Sequence, residues 1–542
     1  MAGSSSSTSI SSSSSPERDG EKLEATTPDE QIKASAPDAL PPSEAPIPTQ
    51  KKYSIYTTLE KRLIVFAAAL GAFFSPLSAQ IYFPALGQLA SDLQVSVTQI
   101  NLTVTTYMIV QGIAPMFVGS LADSAGRRPA YLLCFIIYIA ACVGCALTPN
   151  YGGLLALRAL QAGGSSATVS LCQAVVSDVV TSAERGSYVG FTALPTILAP
   201  SLGPVIGGLI SQYLGWRWIF WFLTIFAGAF LAVFLLFVPE TCRPIVGDGS
   251  IEPAIYYRTA WQLIKDARRR KGAAADDGEP KAKPTTRIQK PNVIRTLHIL
   301  FEKEMFLLLM YGALFYAGFY ALATALPTIF ADLYGFNGLL VGLIYLPIGV
   351  GSVVAVFIMG KLTNWNYRRH CKRLGIPYDR SRQQNMADFP IEHVRLQIGI
   401  PFLILYTAVQ ISFGWAVQYH AHLAAAIVLL FLTGFSLVAF TNLLATLIVD
   451  INPGVAGSAT AANNLTRCLL GAGSSAFINP LMSAVGSGWA FTIFGLSYIF
   501  FSPVMWLLLK YGAKWRAEKV QKAELKKQRE QQQLQEKKDS SS

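Results

Sequence analysis

Twelve apolar segments, each about twenty residues or longer, constrain this chain more than any other feature. They lie near residues 62–82, 98–118, 129–148, 151–178, 188–212, 216–238, 304–331, 336–360, 396–416, 421–449, 455–482 and 488–510. A helix needs about 20 apolar residues to cross the hydrocarbon core of a bilayer, and there it must satisfy its own backbone. Runs of this length are too long for buried strands. They predict an all-α integral membrane protein with twelve transmembrane helices, numbered here as spans 1–12. Only 14% of the residues are charged, against about 25% in a soluble domain.

The polar stretches divide the spans. Residues 1–59 are rich in Ser, Pro and Glu and are expected to form a disordered tail. No amino-terminal signal peptide precedes the first apolar run near Leu63, which would serve as an uncleaved anchor. Residues 60–239 and 304–510 each hold six spans, so two six-helix bundles are expected, joined by a central loop over 240–303. Residues 511–542 form a charged tail. The central loop carries Ala260-Trp-Gln-Leu-Ile-Lys265 followed by basic residues. This segment reads either as a solvated linker or as a helix on an anionic leaflet.

Loop charge sets the orientation. Basic residues crowd the tail before span 1, loops 2–3, 4–5, 6–7 and 8–9, and the carboxyl tail. Loops 1–2, 3–4, 7–8, 9–10 and 11–12 have none, and Arg217 in loop 5–6 is the exception. Both termini and the even-numbered connections are therefore expected in the cytoplasm. The formal charge of +12 belongs to this pattern and does not argue for nucleic acid.

Loop 2–3 reads Gly119-Ser-Leu-Ala-Asp-Ser-Ala-Gly-Arg-Arg128, and a weaker copy, Gly360-Lys-Leu-Thr-Asn-Trp-Asn-Tyr-Arg-Arg369, follows span 8. Gly, Leu and the paired Arg recur in register at equivalent places in the two halves, which argues for homologous bundles with a cavity between them. The copy puts Asn364 where the first has Asp123, and Tyr367 where it has Gly126. A second similarity, Arg158–Ala167 against Arg467–Ala476, falls on spans 4 and 11, which the half-repeat does not pair.

Arg158 and Arg467 lie deep in apolar helices. A charge there costs at least a few kcal/mol, so each must face a partner or a polar cavity. Gln161 and Ser165 share a helix face with Arg158. Asn463 and Asn464 extend a polar stripe to Arg467. In span 5, Gly203, Gly207 and Gly208 beside Pro204 would allow close backbone approach, with span 8 as the expected neighbour.

These motifs resemble the major facilitator superfamily over about residues 60–510. GxLADxxGRR is similar to its loop 2–3 motif, Arg158-x-x-Gln161 to its span 4 motif, and Gly203-Pro204-x-x-Gly207-Gly208 to its antiporter motif. FFSPLSAQIYFPAL (73–86), INLTVTTYMIVQGIAP (100–115) and Pro239-Glu240-Thr241 look like the fungal twelve-span drug:proton antiporters of the quinidine-resistance and dityrosine-transporter group. The resemblance implies that Asp123 docks at the amino end of span 11, near Pro453–Gly457. Gly119, Gly126, Arg127, Arg128, Asp178, Glu184 and Arg185 would complete that gating network. It also implies that Arg158, Gln161 and Ser165 serve proton transfer or substrate contact.

Phe74, Gln80, Asn101, Gln111, Tyr316, Tyr320, Tyr345 and Asn442 are candidates for an aromatic and amide cavity lining. No Asp or Glu lies in the middle of span 1, 7 or 10, so two deep arginines also suit an anionic substrate. No GxxxxGK[ST] sequence or metal-ligand cluster is present, and no cofactor is expected beyond a coupling proton. The expectation is a monomeric, non-enzymatic secondary transporter in a cell membrane. It would export small organic compounds or drugs against protons from the plasma membrane, a vacuolar or prospore membrane being the alternative site. A carrier for organic anions, monocarboxylates or amino acids, and a non-transporting sensor, are the alternative functions.

Overall fold

The computed structural model describes residues 54–180, 182–251, 253–254, 257–262, 293–375, 391–452 and 456–539. The described residues are helical with no strand. Span 1 is Thr58–Gln80, span 2 Val97–Ala125, span 3 Arg127–Leu147, span 5 Ser182–Tyr213 and span 6 Arg217–Phe237. Span 4 is two stacked pieces, Tyr151–Ser165 and Thr168–Val179. In the second half, span 7 is Lys303–Tyr334 and span 8 joins Gly338–Leu343 to Tyr345–Leu374. Span 9 is Ile391–Gln418 and span 10 is Leu423–Ile451. Spans 11 and 12 run through Ala456–Phe500, bent at Gly486 where φ is 81° and ψ is 164°. The Gln418 amide oxygen accepts from Ser487 Oγ and Gly488 N there, both at 3.1 Å, and holds the turn. A last helix, Pro503–Asp539, carries span 12 onward into the charged tail.

Length and composition alone identify nine membrane-crossing helices among the described residues. Twelve passes result when the split span 4 and the proline-containing span 5, Ser182–Tyr213, are added and the one helix holding spans 11 and 12 is counted twice. Prolines are tolerated inside membrane helices when neighbours recover the freed backbone groups.

Helix starts follow local chemistry. Span 1 opens on a capping box, Thr57 accepting from Glu60 N and Glu60 from Thr57 N. Span 2 opens on the same device with Ser96 and Gln99.

Each bundle closes on an aromatic core. Phe74 packs against Phe135, Tyr138, Phe226 and Phe230 in the first half. Phe315 packs against Tyr311, Tyr406, Phe440 and Tyr498 in the second. Phe74 thus lies inside its bundle and not, as expected, at a cavity between the two.

Two expected loops are structured. The copy at Gly360–Arg369 is not a hairpin tip: the helix runs through it and stops at Gly375, which adopts the left-handed conformation. The start of the central loop is packed, with Cys242, Ile245, Val246 and Tyr257 forming a small apolar cluster. Burial pushes the Cys242 thiol up to about 12. Trp261 is exposed; Leu263, Ile264 and Lys265 lie outside the described residues.

Candidate functional site

Four groups of residues stand out, two in the interior and one at each end of the bundles. The first surrounds Arg158, which has no exposed surface. Its guanidinium lies between the rings of Tyr82 and Tyr107, 4.3 Å from each centroid. It donates to Gln161 Oε1 at 2.6 Å and to Ser78 O at 3.3 Å. The Gln161 amide in turn donates to Cys142 Sγ at 3.0 Å, and Tyr107 OH pairs with Ser165 Oγ at 2.9 Å. A desolvated cation over an aromatic face gains about 2 kcal/mol, and two faces offset much of what burial costs. Arg158 Nε and Nη2 remain without a hydrogen bond. Of the two environments expected for Arg158, a partner or a polar cavity, the structure gives partners, in a sealed nest of spans 1–4. Tyr82 and Tyr107 carry no sequence mark of this role.

The second group lies between the halves, where span 11 meets span 2. Arg467 donates to Asn464 Oδ1 at 2.7 Å, and Asn464 Nδ2 donates across to Gln111 O at 3.0 Å. The Tyr316 ring lies 4.9 Å from the Arg467 guanidinium carbon. Gly471 of span 11 faces Met108 of span 2, and Gly112 of span 2 faces Cys468 of span 11, so small residues bring the two helices together, while Tyr320 of span 7 also packs on Gly471. Gln111 Nε2 donates to Ser75 Oγ at 3.2 Å, while Gln111 Oε1 and Arg467 Nε are buried without a partner. Asn463 is half-buried and accepts from Thr466 through its carbonyl.

The third group seals the end opposite loop 2–3. Gly208 packs on the Gly338 carbonyl, and Gly342 on the Pro204 carbonyl. Gly338 N donates to Gln212 Oε1 at 3.1 Å. Gly203 and Gly207 face Ile81 of the first half, and Gly351 faces span 10, so only part of each glycine set makes the joint. Tyr345 stacks on Phe83 with centroids 6.3 Å apart, which places it in this seal. Gln80 and Asn101 are buried, with Gln80 Oε1 and both Asn101 side-chain atoms lacking hydrogen bonds, and Asn442 is exposed.

The fourth group is at loop 2–3. The chain reverses at Gly126, whose φ of +104° excludes most side chains. Arg127 Nε donates to Asp178 Oδ2 at 2.9 Å, and its Nη1 to Asp123 Oδ1 at 2.5 Å. Arg128 Nη1 and Nη2 donate to Val238 O and Leu235 O, which end span 6. Glu240 completes the group. Its buried carboxylate accepts from Arg127 N, Arg128 N, Thr241 N and Cys242 N at 2.9–3.0 Å. The first two belong to the amino end of span 3, where a carboxylate is favoured by the helix dipole. The sequence reading noted Glu240 only as part of a family marker. Its position directly after span 6 was the available signal.

Asp123 is mostly exposed and pairs with Arg127 of its own half. Of the expected dock at Pro453–Gly457, residues 453–455 lie outside the described residues and 456–457 begin span 11, their side chains, like those of Glu184 and Arg185, lying outside the description. Gly119 has open space around it.

Two helical bundles joined through glycine contacts, with arginines held inside apolar helices, are the architecture of a membrane transporter. Residues 68–476 match the family model described as Major Facilitator Superfamily, and the chain belongs to that family. It is 45% identical over 478 residues to the MFS-type transporter phiD of Fungal sp. (strain ATCC 74256), covering 88% of this chain and 72% of that one. It is 36% identical over 484 residues to citrate exporter 1 of Aspergillus niger, covering 87% and 90%. Among solved structures, the D-xylose-proton symporter superposes with a TM-score of 0.57 at 15% identity, over 82% of this chain and 96% of that one. That likeness concerns the fold. The chain is therefore a multi-pass membrane transporter.

Proposed function

We propose that this protein is a secondary active transporter that exports small organic compounds in exchange for protons, by alternating access between its two bundles. The glycine-on-carbonyl joint of spans 5 and 8 carries this reading. A joint made largely of glycine against backbone carbonyls closes tightly, with few side chains to disengage when it parts. The relatives named as fungal transporters and as a citrate exporter support an exporting role. In this reading the termini are cytoplasmic, the membrane is the plasma membrane and the working unit is a monomer. Loop 2–3 with Asp178 and Glu240 is then the inner latch. Arg158, with Gln161, Ser165 and the two tyrosines, then braces spans 1–4 as one rigid body. Asp123 and Asp178 are the carboxylates within reach of Arg127 that could take up a coupling proton.

The test is export from cells lacking or overproducing the protein, at several external pH values. Efflux that collapses when the proton gradient is dissipated supports the reading. Gradient-independent efflux contradicts proton exchange, and no efflux of any compound favours the sensor.

A further inference from the structure

We propose that the substrate carries a carboxylate and that Arg467, with Asn464 and Gln111, is where it binds. This inference rests on the transporter reading above and narrows it to one class of cargo.

Three observations carry it. Among the described residues Arg467 is held by neutral groups, the Asn464 amide oxygen and the Tyr316 face, with Tyr320 and Cys468 beside them and no carboxylate. A guanidinium in this position has its charge uncompensated, and a carboxylate is the group it matches best. Arg467 Nε is buried and unpartnered, so a donor is free. Gln111 Oε1, on the opposing helix, is a buried acceptor without a donor. A ligand bearing a carboxylate and a hydroxyl, or a second and protonated carboxyl, would satisfy both helices at once.

Arg158 has the same charge and the same lack of a carboxylate, yet it is walled in by Tyr82 and Tyr107 within one bundle. Arg467 is at the surface where one bundle faces the other, along the Asn464–Gln111 hydrogen bond. Rocking of the halves breaks that bond and exposes Arg467. A ligand held there is in contact with both halves and can change sides as they move.

The experiment uses full-length protein in proteoliposomes loaded with citrate, with benzoate or with the cation tetraphenylphosphonium. Counterflow of each is followed for wild type, Arg467→Gln and Arg467→Lys. Saturable counterflow of citrate or benzoate is expected, with apparent affinity weakened roughly tenfold or more in Arg467→Gln and less in Arg467→Lys. Unchanged thermal midpoints in both variants would exclude misfolding as the cause; a collapsed Arg467→Gln is replaced by Asn464→Ala, expected to weaken the same anions. Transport of the cation alone, or anion transport indifferent to both positions, overturns the carboxylate assignment and leaves the transporter reading standing. No counterflow of any probe overturns both.

Discussion

The two bundles share one plan and differ at the end where loops 2–3 and 8–9 emerge. Both halves tie the start of their third helix to the end of their fourth with an Arg–Asp pair. In the first half it is Arg127–Asp178 at 2.9 Å, and in the second Arg395–Asp450 at 3.1 Å. The tie between third and sixth helices has opposite polarity in the two halves. Glu240, after span 6, accepts from the backbone of span 3. Glu392, at the start of span 9, faces Arg516 of the helix that continues span 12, at 3.4 Å. The connection between second and third helices differs most. Gly126 turns the chain sharply; Tyr367, at the matching place, is helical and the helix continues to Leu374. One residue's access to positive φ thus separates a tight latch from an extended arm. The first half concentrates its charges at one turn, which suits it to be the moving latch in the proposed cycle.

The comparison yields a graded series, read as thermal midpoints of purified protein. Gly126→Val should be the most damaging. A branched side chain at φ +104° is strained by about 1–3 kcal/mol, and its Cβ would sit 2.6 Å from Glu240 Oε2. A well-folded Gly126→Val protein would show that the turn is not what distinguishes the halves. Glu240→Ala should follow, at about 2–3 kcal/mol, because it leaves buried backbone donors unmatched. Asp178→Asn and Asp450→Asn should each cost about 1–2 kcal/mol, equal costs meaning that the two Arg–Asp ties are equivalent. Tyr367→Gly should cost about 1 kcal/mol as a helix-interior glycine on top of the packing of its ring on the core and under Arg395, and an unchanged midpoint would show that the arm is not held by this residue. Asp123→Asn should barely move the midpoint, since the side chain is mostly exposed, yet should cut transport. Normal transport at wild-type abundance would remove Asp123 from the proposed latch.

Much of the fold could be read from the apolar runs, because lipid leaves the backbone few options. Gly126 is legible as a turn, and the sequence pairs Gly119–Arg128 with Gly360–Arg369 at the ends of spans 2 and 8. The same pairing misled about shape: Gly-to-Tyr at one position removes the turn, and motif similarity outlasts it. The surroundings of Arg158 were hidden for another reason. Tyr82 and Tyr107 come from spans 1 and 2, and no spacing rule links them to span 4. Phe74 looked like a cavity aromatic because period and polarity do not tell a bundle's core from its cleft. Glu240 was legible as a residue but not as an acceptor of four backbone donors, which depends on where span 3 begins.

The proposed cycle requires the joint between spans 5 and 8 to part during transport. A β-carbon at Gly338 would lie 3.2 Å from Ser211 Oγ, close enough for a disulfide between Ser211→Cys and Gly338→Cys. The native cysteines are all buried and should leave the assay free of background. Each single variant should retain counterflow in proteoliposomes. In the double variant, oxidation should abolish counterflow and reduction should restore it. Full counterflow in the oxidised, fully cross-linked protein would contradict the account.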